Sequence, residues 1–145
     1  MDVYTLARFI KYVHINKETN CWEWTGALNT DGYGIFYYPG NSRLAHRVAY
    51  EHDIGPIASG MHVDHKCIVK HCVNPDHLQQ VSNLENQLLA VERKENFSSA
   101  KTHCKRGHEF TEDNTRYYLK PHTNTVKRSC RACKKVHNER YRSRR

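Results

Sequence analysis

The last third of the chain carries cysteine and histidine residues at the spacing of zinc ligands. A Cys-x3-His pair and a Cys-x2-Cys pair are separated by 21 residues. Three thiolates and one imidazole make the closed tetrahedral ligand set of a structural zinc site. Free thiols in a small core are the alternative, but too few apolar residues lie in this segment to build one. The sequence therefore predicts a zinc site formed by Cys104, His108, Cys130 and Cys133.

A second set of zinc ligands is spread more widely along the chain. A run of the form Cys-x4-Cys-x4-His supplies three ligands close together, and a distant cysteine completes the tetrahedron. All six cysteines of the chain then belong to one of two four-ligand sites. The alternative interpretation makes the histidine a surface residue and the distant cysteine a buried thiol beside Trp22. The predicted ligands are Cys21, Cys67, Cys72 and His77.

The amino-acid composition agrees with a fold that metal ions help to hold together. Only 38% of the 145 residues are hydrophobic, so the core must be thin. No apolar run approaches the ~18 residues of a membrane span, and basic residues interrupt the N-terminal segment where a signal peptide would be apolar. We therefore expect no membrane partner and an intracellular location, where reduced cysteines bind metal in preference to forming disulfides.

Positive charge is concentrated at one end of the chain. Residues 1–100 hold 9 Lys or Arg against 11 Asp or Glu, whereas residues 101–145 hold 14 against 4. This asymmetry indicates a near-neutral domain followed by a basic module that binds a polyanion, although a solvated, solubilising tail would have the same composition. We predict the two domains at residues 1–97 and 98–145.

Hydrophobic periodicity and turn residues predict an α+β fold. In the first domain we expect a helix over Tyr4–Ile15 and an aromatic hairpin whose strands hold Trp22–Trp24 and Tyr33–Tyr38. A second helix is expected over Arg43–His52, before the Gly-Pro pair that follows it.

The rest of the chain alternates short strands with helices. Strands at Gly60–His65 and His77–Val81 are followed by a capping-box sequence, which predicts a helix beginning at Asn83. In the basic module, strands at 117–120 and 125–128 flank a turn, and a basic helix follows over 134–144. A zinc knuckle, a hairpin and a helix together are typical of a treble-clef-like module.

Three polar side chains in the central segment have the chemistry of phosphodiester hydrolysis. If the helix packs back on the first of the two strands, Asp64, His65 and Asn86 converge on one point. A carboxylate and an amide oxygen are hard ligands suited to Mg²⁺, and a neighbouring imidazole can take a proton from water. The alternative is an ordinary Asp-His pair at the end of a surface strand.

The run D-H-x-C-x4-C-x4-H-x8-N resembles the ββα-metal (His-Me finger) nuclease motif in its His-Cys box form. Residues 72–78 and Glu85-Asn86 are also similar to the Cys-x-Asn-Pro-x-His-Leu and Glu-Asn patterns of phage-type HNH endonucleases. Upstream, residues 21–27, 32–34 and 45–51 resemble the N-terminal part of those enzymes. The resemblance covers about residues 20–135, including a C-terminal module similar to zinc modules found beside such domains.

The resemblance implies a role for each residue of the motif. His65 is expected to be the general base, and Asp64 and Asn86 the ligands of a catalytic Mg²⁺ or Mn²⁺. A structural zinc is implied at the four residues already predicted to bind one. In plain HNH enzymes the position before Leu78 is an asparagine whose side chain stabilises the loop, and this chain has His77 there. A bound zinc can stabilise the loop in place of that asparagine.

The function that follows is metal-dependent cleavage of double-stranded DNA to 5′-phosphate and 3′-hydroxyl ends. We expect a homing-type enzyme of a phage or mobile element, acting in the cytoplasm of a bacterial host, with restriction and packaging roles left open. The resemblance suggests a homodimer, because one active site cuts one strand. A non-catalytic zinc-dependent regulator that binds nucleic acid is the alternative. Predicted DNA-binding residues are Arg43, Arg47, Lys127, Arg128, Arg131, Lys134 and Lys135.

Overall fold

A computed structural model describes residues 1–38, 40–93, 100–120, 123 and 125–143 of the chain. It is a small mixed α/β protein that divides into two compact units, Met1–Asn83 and Leu84–Arg145. The predicted domain boundary between residues 97 and 98 lies outside the described residues. No described helix has the length and the apolar character that crossing a bilayer requires.

The first unit begins with a short helix followed by a strand. Helix α1 spans Val3–Ile10, and the Asp2 side chain caps it by accepting a hydrogen bond from the Thr5 backbone at 2.9 Å. The sequence predicted a helix through Ile15, but Val13–Ile15 forms strand β1. The β-branched residues of this segment favour an extended chain, and pairing with a neighbouring strand provides its hydrogen bonds.

The pairing of the aromatic strands also differs from the prediction. Strand β2, Trp22–Trp24, pairs antiparallel with β1, so that Val13 lies opposite Trp24. Strand β3, Ile35–Tyr38, pairs instead with β4, Asn41–Leu44, across a turn that contains Gly40 at φ +83°. The predicted pairing of β2 with β3 is therefore wrong, although both strands exist. Between them the chain does turn back on itself, since Leu28 forms an antiparallel bridge with Gly34 and Ile35 N donates to the Ala27 carbonyl at 2.8 Å.

Helix α2 spans Ala45–Asp53, and it begins two residues later than predicted because Arg43 belongs to β4. Ala45, Val48 and Ala49 are buried on the inner face of this helix. They pack with a cluster of aromatic rings in which Phe9 lies 4.9 Å from Trp24 and 5.1 Å from Phe36, measured between ring centroids. This thin core fixes α2 against the strands.

The central segment has the predicted order of strand, loop, strand and helix. Strand β5, His62–His65, pairs antiparallel with β6, Leu78–Val81, with Asp64 opposite Gln79. A single 3₁₀ turn, Pro75–His77, leads into β6. Helix α3, Asn83–Glu92, begins directly after β6, at the predicted residue.

The second unit contains a hairpin and a basic helix, both somewhat longer than predicted. Strand β7, Thr115–Lys120, pairs antiparallel with β8, Thr125–Cys130. Helix α4, Arg131–Arg142, starts three residues before the predicted Lys134. The Cys130 thiol accepts a hydrogen bond from the Cys133 backbone at 3.5 Å, which extends the helix back to β8.

Candidate metal centres and active site

The first predicted zinc site is brought together within the first unit. The four ligand atoms of Cys21, Cys67, Cys72 and His77 all lie within 4.8 Å of one another. The Sγ atoms of Cys21 and Cys72 are each 3.6 Å from Nδ1 of His77. A tetrahedral zinc with Zn–S near 2.3 Å and Zn–N near 2.0 Å has S···N edges of about 3.6 Å. The distances therefore fit a bound zinc ion.

Backbone pairing explains how the distant cysteine reaches this cluster. Trp24 N donates to the His71 carbonyl at 2.9 Å, and Val73 N donates to the Trp22 carbonyl at 2.8 Å. These bonds fix the start of β2 beside the loop that carries Cys72. Within the same loop, the Asn74 side chain donates to the Asn20 carbonyl at 2.7 Å. Cys21 is thereby held 1% exposed beside the other ligands.

Burial of its thiols favours metal binding by this cluster. It raises the pKa of Cys67 and raises that of Cys72 to about 12, with the neighbouring thiols adding to the effect. These thiols are neutral at pH 7 without a metal, and a bound cation stabilises their thiolate forms. The loop also contains Ile68 at φ +65°, a left-handed conformation that is strained for a β-branched residue.

The second predicted zinc site is brought together within the second unit. The ligand atoms of Cys104, His108, Cys130 and Cys133 again all lie within 4.8 Å of one another. The Sγ atoms of Cys104 and Cys133 are 3.7 Å apart, close to the S···S edge of about 3.8 Å in a zinc tetrahedron. Nδ1 of His108 is 3.5 Å from Cys104 Sγ and 3.2 Å from Cys133 Sγ.

Local turns position these ligands. The Gly107 backbone donates to the Cys104 carbonyl at 3.0 Å, and Gly107 has φ +81°, so the turn between the first two ligands requires a left-handed residue. The side-chain oxygen of Asn114 accepts from the Ala132 backbone at 3.0 Å and ties the start of α4 to the residue that precedes β7. Burial, followed by the neighbouring thiols, raises the pKa of Cys133 to about 11.

The two predicted active-site residues of β5 are oriented by separate hydrogen bonds. Oδ2 of Asp64 accepts from the Gln79 side chain at 2.8 Å. His65 is 6% exposed, and its Nε2 lies 3.0 Å from the Cys72 carbonyl oxygen. A carbonyl oxygen can only accept, so Nε2 carries the proton and Nδ1 holds the lone pair of the neutral ring. The loop that carries Cys72 therefore also sets which nitrogen of His65 can act as a base.

The third predicted active-site residue lies in the other unit. Asn86 is in the first turn of α3, whereas Asp64 and His65 belong to the first unit. Its convergence with them stays a prediction from the sequence.

Two rings that the sequence did not predict as neighbours lie beside His65. The His65 ring centroid lies 4.7 Å from that of His46 and 5.9 Å from that of Tyr33, and these two rings are 5.4 Å apart. His46 lies on α2 and is buried at 4% exposure. The only sequence signal is its place beside Ala45 on the apolar side of α2, which is ambiguous for a histidine.

His46 has two unusual properties. Its buried Nδ1 has no hydrogen-bond partner in the part of the chain that the structure describes. A buried polar atom of this kind typically costs ~1–3 kcal/mol. Burial, and then the charges of His65 and Arg47, lowers the pKa of His46 to about 3, so the ring is neutral at pH 7.

The predicted DNA-binding residues lie in both units and differ in their contacts. Arg43 forms an ion pair with Glu51 at 2.6 Å, and Arg47 is half-buried on α2. In the second unit, the Arg128 guanidinium lies 3.8 Å from the centre of the Phe110 ring and donates to the Lys101 carbonyl. Lys127, Arg131, Lys134 and Lys135 are exposed.

Two depressions in the second unit are lined by basic side chains. One of about 460 Å³ lies beside the second predicted zinc site and the other, of about 650 Å³, lies on the hairpin. Neither has an acidic residue among the described residues that line it. The basic residues of the first are Lys101, Lys105, Arg106, Lys127 and Arg128. Those of the second are Arg116, Arg131 and Lys134.

Comparison with known proteins relates the central segment to a nuclease family. Residues 43–88, which include both strands β5 and β6 and the ligand loop between them, match a family model described as HNH endonuclease. No solved structure matches the chain.

Several phage proteins are similar to the chain over part of their length. Protein 7.7 of Escherichia phage T7 is 41% identical over 59 residues, which cover 41% of this chain and 45% of that protein. Protein 2.8 of the same phage is 32% identical over 77 residues, or 52% of each chain. The uncharacterized gene 5.3 protein of Enterobacteria phage T3 is 40% identical over 58 residues, covering 35% of this chain and 56% of that protein. The chain thus spans about half the length of these curated relatives, and its residues 43–88 are similar to HNH endonucleases.

Proposed function

We propose that this chain is a metal-dependent DNA endonuclease of the HNH type. The observation that carries the proposal is the hydrogen bond between His65 Nε2 and the Cys72 carbonyl, within the segment similar to HNH endonucleases. It leaves the lone pair of the neutral imidazole on Nδ1, as a general base requires. A histidine serving only to end a surface strand would be exposed, whereas His65 is buried and oriented.

The reaction is hydrolysis of a phosphodiester bond. His65 takes a proton from the attacking water, and Gln79 holds the Asp64 carboxylate in place through Oδ2. Asp64 and Asn86 would hold Mg²⁺ or Mn²⁺, an ion that neutralises the phosphate and stabilises the leaving 3′ oxygen when bound. The products carry 5′-phosphate and 3′-hydroxyl ends. For Asn86 the support is the sequence motif.

Two zinc ions stabilise the protein in this proposal. The ligand distances of both clusters support zinc over disulfides or free thiols. The order of β5, ligand loop, β6 and α3 supports a ββα-metal (His-Me finger) core of the His-Cys box form. The knuckle, hairpin and helix of the second unit support a treble-clef-like module.

Double-stranded DNA is the proposed substrate, and the second unit supplies much of the binding energy. Its exposed Lys and Arg side chains can replace counterions along the phosphate backbone. Similarity to phage proteins supports a role in a phage or mobile element. The homing type is proposed from the resemblance of the motif alone. A homodimer would provide one active site for each strand.

A plasmid-cleavage assay tests the proposal. Zinc-loaded protein with Mg²⁺ should nick or linearise supercoiled plasmid, and His65→Ala should bind the same DNA without cutting it. His14→Ala, which removes an exposed histidine of β1, is the matched control and should cut at the wild-type rate. Tight binding with no cleavage in Mg²⁺ or Mn²⁺ would establish the non-catalytic regulator instead.

A further inference from the structure

We propose that His46 is a positioning residue for His65: its buried imidazole packs against the His65 ring and holds that ring in its reactive orientation. This inference rests on the proposed nuclease function. It names a residue outside the D-H-x-C-x4-C-x4-H-x8-N run and outside the predicted metal ligands. His46 lies at the start of α2, on a different element from His65. The two ring centroids are 4.7 Å apart, with a 59° angle between the ring planes.

The hydrogen bond to Cys72 acts at one edge of the His65 ring. The orientation of the ring plane also needs support from the side. His46 and Tyr33 provide it, because each ring also contacts the other as well as His65. A catalytic group is effective only when neighbouring side chains lock its orientation to within a fraction of an ångström.

The unpaired Nδ1 of His46 argues that stability does not explain this residue. A leucine at this position would bury no polar atom, whereas the histidine leaves Nδ1 without a partner among the described residues. Positions where a local rule of stability is broken are expected at functional sites. Imidazole is also the smallest flat ring among the side chains, so it can approach a second ring to 4.7 Å between centroids where phenylalanine would need more space.

The neutral state of His46 is compatible with this role. Two positively charged imidazoles at this distance would repel each other. Burial of His46 and the charge of His65 both favour the neutral form of His46, so the supporting ring does not repel His65 when that residue holds a proton.

His46 is 4% exposed and therefore out of reach of the substrate. Its replacement should change the rate of the chemical step and leave DNA binding unchanged. This separates it from residues that contact DNA, whose replacement raises the half-saturating protein concentration in single-turnover cleavage.

The test uses full-length zinc-loaded protein and single-turnover cleavage of plasmid DNA with Mg²⁺. In His46→Leu the maximal rate should fall by about 10-fold to 100-fold, the range expected for a misplaced catalytic group, while the half-saturating protein concentration stays the same. The melting temperature should fall no further than in Val48→Ala, a core variant of the same helix that should keep the wild-type rate. If His46→Leu does not fold, His46→Gln replaces it with the same expectation.

Three outcomes would overturn the inference. The first is a wild-type maximal rate in the folded His46→Leu variant. The second is a change in the half-saturating protein concentration alone. The third is a loss of maximal rate equal to the loss in Val48→Ala. Nitrogen-15 NMR of the His65 ring gives a readout that does not depend on cleavage. Wild-type protein should show the Nε2–H tautomer, and His46→Leu a mixture of the two tautomers. An unchanged spectrum would also overturn the inference, whereas absence of cleavage by wild-type protein would count against the nuclease function.

Discussion

At the scale of single residues, His65 and the proposed metal ligands should respond differently to replacement. His65→Ala removes the proton acceptor, so cleavage should fall to background while folding and DNA binding persist. Added imidazole should restore part of the rate, and a higher Mg²⁺ or Mn²⁺ concentration should not. Asp64→Ala and Asn86→Ala should lose activity through the metal, so that extra metal restores part of it. Rates measured against metal and imidazole concentration distinguish the two classes, and rescue of His65→Ala by metal alone would contradict the assignment.

The strained backbone at Ile68 gives a second prediction at this scale. Ile68 has φ +65° and a side chain that is 54% exposed, so it contributes little to the core. Asparagine adopts the left-handed region more readily than a β-branched residue. Ile68→Asn should therefore raise the free energy of unfolding by about 1 kcal/mol. Chemical denaturation of zinc-loaded protein measures this, with Ile54→Asn as the control, since Ile54 is also 52% exposed but has φ −108°. A gain of equal size in both variants would contradict the strain argument.

At the scale of secondary-structure elements, the sequence predicts local structure better than pairing. The strands at β5 and β6 and the start of α3 follow from short-range signals, and the structure has them at or near the predicted residues. The partner of β2 does not follow from such signals. Both β1 and β3 are short segments with apolar or aromatic residues, and only the tertiary arrangement selects β1 as the partner.

The same distinction applies to the candidate site. Both ligand sets could be predicted, because three members of the first lie within one loop and the second is built on two close pairs. The contact of His46 with His65 could not, since it depends on how α2 packs against β5. A histidine beside buried alanine and valine fits a surface-edge position and a buried one equally well, and only packing decides between them.

The ligand loop between β5 and β6 should depend on its metal for stability. Cys72 is fully buried, and its carbonyl also orients His65. A structural zinc contributes on the order of 10 kcal/mol of folding free energy, which is comparable with the whole stability of a small domain. Wild-type protein should therefore hold two zinc ions per chain, whereas Cys72→Ser should hold one, melt at lower temperature and lose cleavage activity. Elemental analysis and thermal melts measure both, and two zinc ions in the variant would refute the ligand assignment.

At the scale of the whole molecule, the proposed catalytic histidine and the basic surfaces proposed to bind DNA belong to different units. The residues that orient His65 lie in the first unit, and the basic depressions lie in the second. Non-specific DNA affinity depends on how many phosphates a protein neutralises, and the slope of log K against log salt is proportional to that number. The second unit should therefore control this salt dependence, whatever the cleavage rate.

A pair of charge-matched variants tests this division. Lys127→Gln with Lys134→Gln removes two exposed charges from the second unit, and Lys11→Gln with Lys17→Gln removes two from the first. Each lost phosphate contact should reduce the slope of log K against log salt by about 0.9, so the first double variant should lower it by up to ~1.8. The second should leave the slope unchanged, because its lysines lie outside the proposed interface. Binding is measured by fluorescence anisotropy of a labelled duplex, with Ca²⁺ in place of Mg²⁺ to keep the DNA intact. Equal reductions in the two variants would mean that net charge, rather than a defined surface of the second unit, governs the affinity for DNA.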